Sequence, residues 1–62
     1  MYKILKQHTK ANGEVKYYAS YQTAWNAASR LNETDSDNGI WIFEQDMTGW
    51  FVFQVPYGSE NN

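Results

Sequence analysis

Gly39-Ile40-Trp41-Ile42-Phe43-Glu44-Gln45-Asp46-Met47-Thr48-Gly49-Trp50-Phe51-Val52-Phe53-Gln54-Val55-Pro56 is the most apolar stretch of the chain. It reads as two β-rich runs, Gly39 to Gln45 and Trp50 to Val55, around the connection Asp46-Met47-Thr48-Gly49. A four-residue connection ending in glycine suits a turn whose last residue is left-handed. It pairs Gln45 with Trp50, Phe43 with Val52 and Ile42 with Phe53. Proline, which has no N–H for a ladder, stops the second strand at Pro56. Strand alternation then places Ile40, Ile42, Phe51, Phe53 and Val55 on one face and Trp41, Phe43, Trp50 and Val52 on the other, so both faces are apolar.

Upstream of this hairpin, Asn32 to Gly39 is a run of Asn, Asp, Ser, Thr, Glu and Gly whose side chains compete for backbone hydrogen bonds, which predicts a loop. Before it, Tyr21, Ala24, Trp25, Ala28 and Leu31 recur with helical period. Ser20 precedes them as an N-cap able to accept a hydrogen bond from an orphan amide of the first turn. Trp25 is expected to supply most of that helix's buried area. Further upstream, Asn12-Gly13 lies between two strand-like runs, Tyr2 to Ala11 and Glu14 to Ala19. Asn-Gly suits a two-residue type I′ turn, and that turn pairs Ala11 with Glu14, Lys10 with Val15, His8 with Tyr17 and Lys6 with Ala19.

The element order ββαββ predicts an α+β fold: a four-stranded antiparallel sheet, spatial order 2-1-3-4, with one helix on one face. Residues 1–56 form a single small domain and 57–62 a flexible tail. The aliphatic face of the second hairpin is the expected bed for the helix. The opposite face is then left with Tyr18, Trp41, Phe43, Trp50 and Val52 as a protein-binding patch, for another protein or a second copy in a homodimer. The alternative is that the long loop or the tail folds over these aromatics.

Composition bounds the chemistry. The chain has 62 residues and no cysteine, so neither disulfides nor thiolate metal sites staple it. Three Trp, five Tyr and three Phe provide the core mass instead. No apolar run approaches the ~18 residues of a membrane span, and the N-terminus lacks a signal-peptide pattern, so a cytoplasmic protein with no membrane partner is expected. His8 has no nucleophile or carboxylate near it in sequence, which argues against an enzyme. The Asp35 to Gly39 stretch lacks the first and twelfth ligands of a calcium loop, and no metal or other cofactor is expected.

Charge is polarised along the chain: residues 1–30 hold all five basic side chains and one acid, and residues 31–62 hold six acids. Lys3, Lys6, Lys10 and Lys16 all lie on the first hairpin. Beside an aromatic sheet face they suggest a nucleic-acid-binding regulator as the alternative function, although five cations support only weak phosphate binding. Short, cysteine-free, aromatic-rich chains without catalytic residues resemble in type the accessory proteins of bacteriophages and mobile elements, many of which block a host protein. The expected function is therefore a non-catalytic protein-binding module of inhibitor type.

Overall fold

The computed structural model describes residues 3–58. Met1, Tyr2, expected to open the first strand, and residues 59–62 of the expected tail lie outside the described residues. The elements are β1 (Lys6–Gln7), β2 (Tyr17–Tyr18), α1 (Tyr21–Thr34), β3 (Ile40–Gln45) and β4 (Trp50–Val55). Among the described residues, one helix and four antiparallel strands make the expected α+β fold.

The β3–β4 register is the expected one, Gln45 opposite Trp50, Phe43 opposite Val52 and Ile42 opposite Phe53. Asp46 builds the turn: its Oδ1 accepts from the amides of Thr48 (2.8 Å) and Gly49 (3.2 Å), and its own N–H donates to the Gly49 carbonyl at 2.9 Å. The Thr48 amide first, then the Tyr17 hydroxyl, which donates to Oδ2 at 2.9 Å, and the Gly49 amide hold its carboxyl below the usual carboxylate range. Gly49 adopts φ +156°, a positive value that favours glycine at this position.

The first hairpin and the strand order depart from expectation. Strand β4 is central, not β1 and β3. It carries β3 on one edge and, on the other, β1 and β2 end to end. Lys6 and Gln7 face Gln54 and Phe53, the His8 amide donates to the Val52 carbonyl, and Tyr17 and Tyr18 face Phe51 and Trp50. Successive partners on β4 are thus taken by His8 and then Tyr17, and residues 9–16 leave the sheet as an excursion. Hairpin pairing survives only there, in the Thr9–Val15 bridge and in the Lys10 N–H to Glu14 and Lys16 N–H to His8 carbonyl bonds.

The turn at its tip is also different. Gly13 donates to the Lys10 carbonyl at 3.0 Å with φ +91°, and among the described residues none other than glycine has positive φ. A type I′ turn needs positive φ at Asn12 as well. The observed three-residue loop, a turn followed by a left-handed glycine, shifts the register by one residue. Asn12 instead uses its side chain, accepting from the Glu14 amide and donating to its carboxylate. The physical reason for the new order is burial. Val52, Phe53, Gln54 and Val55 are all buried, so β4 gains most from neighbours on both edges, while the polar end of β3, Glu44-Gln45, tolerates an outer position.

The helix begins as expected, with Ser20 accepting from the Thr23 amide, and runs past Leu31 to an Asp35 cap. It covers the face opposite to the expected one. Ala24 and Ala28 pack on Trp41 and Val52, with Tyr18, Ala27, Leu31, Phe43 and Trp50 around them. The two alanines let the helix approach closely enough for the Trp41 ring to lie beneath it, and Trp41 Nε1 donates to the Asp35 carbonyl at the helix end (2.7 Å). Trp25 falls beside this stripe and stays 48% exposed.

Candidate functional site

The helix has two flanks with different chemistry, and each meets a different edge of the sheet. Tyr21, Trp25, Ala28 and Asn32 share one flank by helical spacing. On that side the Tyr21 ring stands edge-on to Phe43 (5.1 Å between centroids) and to Trp50 (5.4 Å), yet it is 57% exposed. Asn32 reaches the outer edge of β3. Its Oδ1 accepts from the Trp41 amide (2.7 Å) and its Nδ2 donates to the Trp41 carbonyl (3.0 Å), as a neighbouring strand would.

The rest of that edge has no such cover. The Asp46–Gly49 bond sets the phase of the ladder, so Glu44, Ile42 and Ile40 bond to β4 while Trp41, Phe43 and Gln45 turn their N–H and C=O outward. Among the described residues, only Trp41 finds partners for its outward groups. Phe43 presents its groups beside the exposed Tyr21 ring, and Trp25, also exposed, follows Tyr21 one turn on along the same helix flank.

The second flank faces β2 and the excursion across a cleft of about 470 Å³. His8, Lys16 and Tyr18 form one wall, and Thr23, Asn26, Ala27, Arg30 and Leu31 the other. His8 Nε2 and the Tyr18 hydroxyl are 3.1 Å apart, and the two rings stack. Lys16 Nζ sits 5.4 Å from the centroid of the Tyr18 ring. Burial, and then the charge of Lys16, push the His8 pKa below its ordinary value. The imidazole is accordingly neutral near pH 7.

The protein-binding patch read from the sequence is not an open face. Trp41 and Val52 are buried, and Tyr18, Phe43 and Trp50 are half-buried against the same core beneath the helix. Of the five, Phe43 reaches the open edge and Tyr18 lines the cleft. The four lysines are not assembled into one patch either. Lys6 pairs with Asp35 at 3.0 Å at the far end of the helix, Lys16 lies in the cleft, and Lys3 and Lys10 are exposed elsewhere on the first segment.

Sequence reading missed Tyr21 and Trp25 as surface residues, Asn32 as an edge cap, and Arg30 and Asn26 as cleft residues. The signal was in the stripe itself: Ala24, Ala27, Ala28 and Leu31 form a complete i, i+3, i+4, i+7 set without either aromatic. No family model, no curated protein and no solved structure matches this chain.

Proposed function

We propose that the chain is a non-catalytic protein-binding module that takes an extended segment of a partner protein as an added strand along β3. The observation that carries this reading is the conjunction, on one edge, of backbone groups at Phe43 and Gln45 that have no partner among the described residues with the exposed ring of Tyr21, which Trp25 follows on the same helix flank. Strand addition draws affinity from main-chain hydrogen bonds and selectivity from side-chain pockets beside the edge. Tyr and Trp are the residues most enriched where binding energy concentrates. Asn32 blocks the start of the edge, so the added strand registers on its second half. A module of this kind acts by occupying a partner's segment, which is how an inhibitor works without catalytic groups. Nucleic acid is the weaker reading, because α1 lies over the aromatics on which bases were expected to stack.

The test is selection of binders from a random linear peptide library, followed by affinity measurement on two variants. Gln45→Pro removes an outward N–H that the ladder does not use, and Trp25→Ala removes an exposed ring. Selected peptides should lose about tenfold or more in affinity on each, and N-methylation of alternate peptide amides should have the same effect. Failure to select any peptide, or peptides indifferent to both variants, overturns the reading. A concentration-dependent dimer in sedimentation that Gln45→Pro abolishes would overturn the foreign partner and assign the edge to a second copy.

A further inference from the structure

We infer that the cleft between α1 and the excursion is a binding site for a small phosphate monoester. This inference stands apart from the β3 edge, on the opposite flank of the helix. Its first support is charge. Lys16 and Arg30 line the cleft on opposite walls, and among the described residues no acid lines it and neither cation has an ion-pair partner. Glu33, three residues beyond Arg30 on the helix, and Glu14, turned toward Asn12, are the nearest acids in sequence, and neither lines the cleft. Two unpaired cations on a chain of net charge −2 are a local exception to its overall sign.

The second support is the polar complement. Asn26 Oδ1 already accepts from Gln22 at 3.1 Å, which leaves the Nδ2 donor of Asn26 without a protein partner among the described residues. The Tyr18 hydroxyl adds a donor when His8 Nε2 does not take it. A phosphate monoester carries about −1.5 to −2 charges at pH 7, matched to two cations, and its oxygens accept from such donors.

Size is the third. A volume of about 470 Å³ lies within the ~300–1,000 Å³ range of small-molecule sites and is far more than a bare phosphate fills. The remaining space is bounded by Ala27, Leu31 and the Tyr18 ring, so the ester group is an apolar or planar body rather than a bare anion. The stacked His8–Tyr18 pair supplies a rigid wall for it.

The experiment is a titration of the whole chain with phenyl phosphate, inorganic phosphate and benzoate, followed by amide chemical shifts at fixed ionic strength. Phenyl phosphate should give saturable shifts centred on His8, Lys16, Asn26 and Arg30, and should bind more tightly than either other probe. Lys16→Gln and Arg30→Gln should each weaken it about tenfold or more, since a charge-assisted hydrogen bond is lost. Lys10→Gln, outside the cleft, should change nothing. Shifts that do not saturate, that spread over all lysines, or that survive both cleft variants overturn the site. Tighter binding of benzoate would overturn the phosphate assignment. Because the glutamine variants alter only exposed side-chain ends, circular dichroism should show them folded. If one unfolds, the corresponding methionine substitution takes its place.

Discussion

Trp25 and Trp41 are the same residue type with opposite roles, and single substitutions should separate them. Trp41 is 3% exposed with its indole N–H bonded to the helix end. Trp41→Ala should cost about 3–5 kcal/mol, comparable to all that a core of this size provides, and leave the chain unfolded. Trp25→Ala removes a ring that is half in water and should cost about 1 kcal/mol or less, read as a small shift in thermal midpoint. His8 makes a pH prediction. Its folded pKa lies below the unfolded value of 6.5, so the folded chain binds fewer protons. The stabilisation is therefore complete above pH 6.5 and is lost as pH falls from there through the folded pKa. The groups facing it are Tyr18, the Trp41 ring edge and Lys16, with Arg30 on the opposite wall. Thermal midpoints measured from pH 7.5 to 5 should fall for the parent chain, and His8→Gln should flatten that part of the curve.

Strand β3 is an outer strand, and its elements of protection are local. Asn32 serves two outward groups of Trp41, so Asn32→Ala should leave a mostly buried amide and carbonyl unpaired, at about 1–3 kcal/mol. The same substitution bares the whole edge, and sedimentation should show increased self-association, as expected of an uncovered strand. Gly39, just before β3, is required by sterics rather than by turn chemistry: a Cβ there would collide with the Val55 carbonyl and press on Leu5. Gly39→Ala should therefore separate the start of β3 from the end of β4, with a large fall in thermal midpoint. Val55 packs there with no exposure, so the backbone has little room to yield.

The whole molecule is a three-position sheet with a helix on one face, because β1 and β2 together fill a single edge of β4. Thr9 to Lys16 intervene between partners that are adjacent on β4, and the Lys16 amide bonds back to the His8 carbonyl at 3.1 Å. Deleting residues 9–16 should join His8 to Tyr17 in register with alternation intact. The shortened chain should keep the helix signal in circular dichroism and melt cooperatively, and it should lose phenyl phosphate binding along with Lys16. A chain that fails to fold would show instead that the excursion holds the two half-strands together.

Local periodicity determined what was local. Ser20 caps the helix, the Asp46–Gly49 turn sets β3 against β4 in the expected register, and the count and type of elements follow, because hydrogen bonds within a few residues decide each of them. Asn12-Gly13 marked a turn correctly but not its type, since a one-residue difference in loop length costs little until a third strand selects between the registers. Both faces of the β3–β4 hairpin are apolar, so alternation alone had no preference for which one the helix covers. That choice was made by Ala24 and Ala28, whose small side chains fit over Trp41 and whose placement turned Trp25 outward. The strand order, the open edge beside Tyr21 and the cleft that brings Lys16 to Arg30 arise only when α1, β4 and the excursion pack together. They rest on contacts between residues far apart in the chain, and such contacts are set by burial competing across the whole molecule.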